Sequence, residues 1–170
     1  MEVREYVDLG DATCAAVHER VVPGLMQGIA ATGMGALTLR PLITGSDQER
    51  LQAAVAVIAA ARQDRAWQVT SALFRAQGPL GSDWVNRTTL RAVASDVGGL
   101  AVTRFLRDAQ DRSAYPQLNA IRQEARRAGV TVTPAFVVRG PGGTRVVQAP
   151  DSADTVLAAA RAVRSSRRVQ

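Results

Sequence analysis

Lysine is missing from this sequence, cysteine and histidine occur once each, and aromatic residues make up only 4% of it. Each shortage excludes something. With Cys14 as the only cysteine, no internal disulfide can form. With His18 as the only histidine, the usual four-ligand zinc site lacks its ligands, and neither a metal nor another cofactor is expected. Few aromatics mean that the core must rest on Ala, Val, Leu and Ile. No apolar run reaches the roughly 20 residues that span a bilayer. No signal-peptide pattern is visible either, because Met1 is followed at once by Glu2 and Arg4 and then by strand-like sequence. This leaves two expectations, a cytoplasmic protein or a domain separated from its leader or anchor.

The net charge is +6, and all of the basic residues are Arg. Arginine forks onto phosphate well. Here, however, the arginines are spread along the chain, as a general preference for Arg over Lys would leave them. The densest group, Arg161, Arg164, Arg167 and Arg168, has no interleaved aromatics on which bases could stack. A nucleic-acid partner is not expected. A chain of 170 residues with 46% apolar residues can form one domain around its own core. The expected domain is 1–164, with a flexible tail at 165–170.

Val3 to Leu9 alternates like a strand, Gly10 breaks it, and Asp11 can cap a helix that continues through Val17, Val21, Leu25 and Met26. Pro23 is expected to kink or divide that helix. Gly33 and Gly35 turn the chain into a second strand, Ala36 to Leu39, completing a β-α-β unit. Helices are predicted from about Asp47 to Arg62 with Ser46 as cap, from about Arg65 to Ala76, and from Thr88 or Thr89 through Val97. Two more follow, from about Val102 to Ala109 and from Ala114 to Ala128, with Gly129 at the stop position. Gly78-Pro79 and Gly81-Ser82 read as a loop. Ala135 to Val138 is a buried-strand run after Pro134, Gly140 to Gly143 a hairpin turn, and Thr144 to Gln148 its partner strand. A last helix runs from about Ala153 to Val163. The order is β-α-β, a helical insert at about 46–128, then β-β-α, a mixed α/β architecture.

Two junctions carry a resemblance. The first is Glu5-Tyr6-Val7-Asp8-Leu9-Gly10, then Asp11-Ala12-Thr13-Cys14, then His18. It is similar to the DsbA-like branch of the thioredoxin superfamily, in which a strand of this kind leads into Cys-x-x-Cys at a helix start, often with a histidine four residues on. The second is Gly129-Val130-Thr131-Val132-Thr133-Pro134-Ala135-Phe136-Val137-Val138. It resembles the family's Thr-Pro step, whose proline is cis and lies beside the cysteine motif. A weaker match to the helical insert lies at Arg65-Ala66-Trp67, Ala72-Leu73-Phe74 and Gln77-Gly78, where Trp67 by itself reads as core packing. The resemblance implies a thioredoxin-like fold, with Asp11 where relatives have the attacking cysteine and Cys14 where they have the resolving one.

That departure decides the chemistry. A dithiol cycle needs one thiolate to attack a disulfide and a second thiol to resolve the mixed disulfide. Asp11 has no sulfur, although its carboxylate suits the positive end of a helix. Cys14, about one turn inside, gains little from the helix dipole, and a carboxylate at Asp11 raises its pKa. A Cys14–His18 pair on one helix face is conceivable, but a surface histidine is the simpler reading. Gly140 to Gly143 lacks the Lys-Ser/Thr and helix of a phosphate loop.

The expectation is a degenerate domain that has lost dithiol activity. By the resemblance it holds a protein or peptide partner, thiol-containing clients included, at the cis-proline edge through Thr133, Pro134, Ala12 and Thr13. The alternatives are a single-thiol redox protein with Cys14 as its catalytic residue, or a structural module of a larger envelope protein. The resemblance also favours an exported or membrane-tethered domain facing an oxidising space.

Overall fold

The computed structural model describes residues 1–33, 35–80 and 84–164. The expected tail at 165–170 and the Gly81-Ser82 part of the expected loop lie outside them. Four strands form one sheet: β1 (Glu2–Val7), β2 (Ala36–Pro41), β3 (Ala135–Gly140) and β4 (Gly143–Gln148), in the order β2-β1-β3-β4. β1 runs parallel to β2 and antiparallel to β3, which pairs antiparallel with β4. The parallel step needs a crossover, supplied by α1 (Ala12–Thr32). α2 (Gln48–Ala61), α3 (Ala66–Leu80), α4 (Arg87–Asp96), α5 (Val102–Asp108) and α6 (Tyr115–Ala128) intervene before β3, and α7 (Ala153–Arg164) follows β4.

Period-2 alternation assigns the strand residues to faces. Val3 of β1 and Phe136 and Val138 of β3 pack with Val17, Val21 and Leu25 of α1 and Val156 and Val163 of α7. Tyr6 and Val137 point the other way, toward Ile58 of α2 and Leu118 and Ile121 of α6. A third cluster joins Val7, Leu9 and Cys14 to the insert through Val57, Leu73, Phe74, Trp84 and Phe105. The three clusters pin the helices around the end of β1 where α1 begins.

Several local expectations are corrected. α1 passes through Pro23 without division. Pro23 is exposed, so the carbonyl it leaves unbonded is within reach of water, while Val17, Val21, Val22, Leu25 and Ile29 bury the other face. Gly78 and Pro79 belong to the last turn of α3 rather than to a loop. α2 is capped by Asp47, whose carboxylate accepts from the Glu49 amide at 2.8 Å, and not by Ser46. α4 is capped by Asn86, which accepts from the Thr88 and Thr89 amides, and not by a threonine. Gly129 ends α6 at φ 82°, the left-handed conformation that favours glycine.

Candidate functional site

The turn between β1 and α1 is built on Asp8, which is fully buried. Its carboxylate accepts from the Gly10 amide at 2.9 Å, the Thr44 amide at 3.0 Å and the Thr44 hydroxyl, and pairs with Arg50 at 2.7 Å. A buried carboxylate is costly unless its lone pairs are filled, and here they are. The network ties the first β-α turn to the segment after β2 and to α2. Asp11, half-buried, is the N-cap of α1 and accepts from the Thr13 amide at 2.8 Å. Ala12 and Thr13 are exposed beside it.

Cys14 has no exposed surface. Its Sγ accepts from the Asp8 amide at 3.4 Å, and the Thr133 side chain bonds to it as well. Burial pushes the thiol up to about 12. The bonds from Asp8 and Thr133 act downward, and the Asp11 and Asp8 charges add to the rise. The carboxylate at Asp11 therefore acts in the expected direction, but exclusion from water dominates. At neutral pH the sulfur is a protonated thiol closed off from solvent.

The contact between Cys14 and Thr133 brings the start of α1 to the loop before β3. The Thr133–Pro134 peptide bond is cis. Pro134 is buried, and its carbonyl accepts from the Ala149 amide at 2.8 Å. Gln148 holds the outer part of the loop, accepting from the Thr131 hydroxyl at 2.6 Å and the Val132 amide at 3.1 Å. Thr133 is half-buried, and Val132 next to it is 51% exposed, one of two large apolar side chains left open among the described residues. Asp11, Ala12, Thr13, Cys14, Thr133 and Pro134 thus belong to one neighbourhood.

A second polar group lies one turn further along α1. His18, expected on the surface, is 3% exposed. It does not face Cys14. Nδ1 lies 3.2 and 3.1 Å from the two Glu5 oxygens, and Nε2 lies 3.1 Å from the Ser71 hydroxyl. Glu5 is fully buried between Leu39 of β2 and Phe136 of β3, its cross-strand neighbours. Burial pushes the Glu5 carboxyl up, and its hydrogen bond to His18 pulls the other way. Trp67 packs against the core, as expected, and also stacks on His18 with ring centroids 5.9 Å apart. An open cavity of about 520 Å³, bordered by His18, Val22, Pro23, Met26, Trp67 and Ser71, begins at this histidine.

Part of this group was within reach of the sequence. Glu5 shares the inward register of Val3 and Val7, so an acid there needs a buried partner, and His18 follows Val17 on the buried stripe of α1. Ser71 has no comparable signal, because only the packing of α3 on α1 brings it to the imidazole. Among the described residues, no three His, Cys, Asp or Glu side chains are grouped to hold a metal. No described helix is long and apolar enough to cross a membrane.

The fold is shared with solved structures. Chlamydia trachomatis DsbA superposes with a TM-score of 0.78 at 15% identity, over 94% of this chain and 84% of that one. BdbD from Bacillus subtilis, in its oxidised form, gives 0.76 at 14% identity over 94% and 85%. A thioredoxin-like oxidoreductase from Silicibacter pomeroyi DSS-3 gives 0.70 at 22% identity over 94% and 84%. At such identities these likenesses establish the fold. No curated protein matches the sequence. The thioredoxin family model, in contrast, matches residues 1–159. Strand order, the α1 crossover, the cis-proline step and that match agree: this chain belongs to the thioredoxin family and has the DsbA-like form of its fold.

Proposed function

We propose that this domain has given up thiol exchange and holds an extended polypeptide at its cis-proline edge. The observation that carries the reading is the pairing of a sulfur-free helix start with a buried thiol. Asp11 stands at the N-cap, and Cys14, one turn inside, is sealed from solvent with its pKa pushed up to about 12. A thiolate is the nucleophile in disulfide exchange, and at neutral pH very little of this thiol ionises. The same sealing argues against the single-thiol alternative.

The loop beside it keeps what strand addition uses. In that mode, main-chain groups of the receptor pair with an extended peptide, and neighbouring pockets select its side chains. Thr133 supplies the main chain, exposed Val132 an apolar contact, and Ala12 and Thr13 the opposite rim. The partner is a protein or peptide segment, thiol-containing clients included. Residence outside the cytoplasm is in keeping with this reading.

Two measurements test it. Insulin reduction by the wild-type chain should run no faster than buffer with reductant alone. The Asp11→Cys variant, which places two sulfurs in Cys-Ala-Thr-Cys spacing, should gain turnover. Titration with an unfolded, cysteine-free peptide should shift the amide signals of Ala12, Thr13, Val132 and Thr133, and Val132→Asp should weaken binding about tenfold. Turnover by the wild-type chain, or peptide shifts confined to another face, would overturn the proposal.

A further inference from the structure

We propose that Ser71, His18 and Glu5 form a nucleophilic serine centre that hydrolyses small carboxylic esters bearing an apolar acyl group. The argument begins with connectivity. Glu5 grips Nδ1 of His18 through both of its oxygens, leaving Nε2 turned toward the Ser71 hydroxyl at 3.1 Å. The order acid–imidazole–hydroxyl is that of a serine triad, in which the acid fixes the tautomer and the imidazole takes the proton of the attacking hydroxyl. With Nδ1–H directed at Glu5, Nε2 is the free base. Both Glu5 and His18 are more than nine-tenths buried, so this polarity is not averaged away by water.

A buried acid explains why a histidine sits beside it. It does not explain why the far nitrogen meets a hydroxyl at the wall of an open cavity. That cavity of about 520 Å³ falls within the range of small-molecule pockets. Val22, Pro23, Met26 and Trp67 are among its walls, with Met26 exposed. They suit a short aliphatic or aryl acyl chain. Gln68 and Arg75, three residues before and four after Ser71 on α3, border the same space. That spacing places them on the Ser71 face of the helix, where their N–H groups can meet developing negative charge.

The step balances with water as the only co-reactant. The Ser71 oxygen forms a bond to the ester carbonyl carbon, its proton passes to Nε2, and the carbonyl π pair moves onto oxygen. Collapse breaks the bond to the alcohol oxygen, which takes the proton from Nε2 and leaves an acyl-serine. Water then adds in the same way, its proton passing through Nε2 to the Ser71 oxygen as the carboxylic acid departs.

The probes are diisopropyl fluorophosphate and p-nitrophenyl butyrate, used on the full chain. Intact-mass analysis after the fluorophosphate should show one adduct, mapped to Ser71 and missing from Ser71→Ala. Ester hydrolysis should fall at least tenfold in Ser71→Ala, whose circular dichroism should match wild type, because alanine is a good helix former at a half-buried site. His18→Gln and Glu5→Gln should lower the labelling rate of Ser71 without abolishing the site. An unlabelled Ser71, or an ester rate unchanged in Ser71→Ala, would overturn the proposal and show the three residues to be a packing network. Peptide binding at Thr133 has its own readout, so failure of either proposal leaves the other standing.

Discussion

Cys14 and His18 lie one turn apart on the same helix and both are buried, yet their polar groups have opposite surroundings. The thiol is enclosed by the Asp8 amide and Thr133 and ends there. The imidazole continues a chain of contacts that starts inside the sheet at Glu5 and ends at a hydroxyl on a cavity wall. The difference lies in what packs opposite each position. Across from Cys14 stand the insert's apolar side chains and the cis-proline loop, whereas across from His18 the start of α3 presents Trp67 and Ser71. A buried polar atom on a helix becomes either a sealed structural element or a chemical one according to whether its last partner meets water.

Three experiments can break or sharpen this contrast, from the largest effect to the smallest. Asp8 organises the closed side, and Asp8→Ala would remove the buried acceptor shared by the Gly10 amide, the Thr44 amide and Arg50. Urea denaturation should show a loss of about 3 kcal/mol. A loss below about 1 kcal/mol would mean that Asp8 does not hold the turn. On the open side, Glu5→Leu leaves Nδ1 of His18 without its acceptor and should cost about 2 kcal/mol. The double variant Glu5→Leu/His18→Leu should recover most of that, because an apolar pair asks for no hydrogen bond. If the double variant is worse than the single, the histidine is held by more than the acid.

The smallest effect near neutral pH belongs to Cys14. Its folded thiol titrates at about 12, above the unfolded value of about 8.5. A raised pKa means that the folded state keeps its proton longer. The contribution is therefore fully present below about pH 8.5 and is lost as pH climbs toward 12. Wild-type stability should fall with alkali over that window, and Cys14→Ala should flatten the fall. Alkylation of Cys14 at pH 7 should be much slower than that of a free thiol, as mass spectrometry would show.

Much of the frame could be read in advance. Strand-like alternation at Val3 to Leu9, the Asp11 cap and the Gly129 stop are local signals with local causes, and they set the β-α-β and β-β-α halves. Pro23 does not divide α1, because a proline's effect on a helix depends also on what the opposite face buries, which is a tertiary matter. The caps at Asp47 and Asn86 were missed because serine and threonine neighbours compete for the same role at nearly the same propensity. At the candidate site, the expectations for Asp11, Cys14 and Pro134 came from the resemblance carried by the two junctions, not from composition or spacing. The sequence could not reveal Ser71, which meets His18 only when α3 settles on α1 across 53 positions of sequence.

β1 is an interior strand whose second partner, β3, arrives very late, since Glu2 aligns with Arg139. A nascent chain emerging from the ribosome must therefore keep its first strand half-paired until nearly the whole polypeptide has been made. Glu5 waits with it, and so does an unsatisfied edge prone to sticking to other chains. Fragments that stop before β3 should aggregate rather than form a smaller version of the domain, and refolding should be slower than the high helix content suggests.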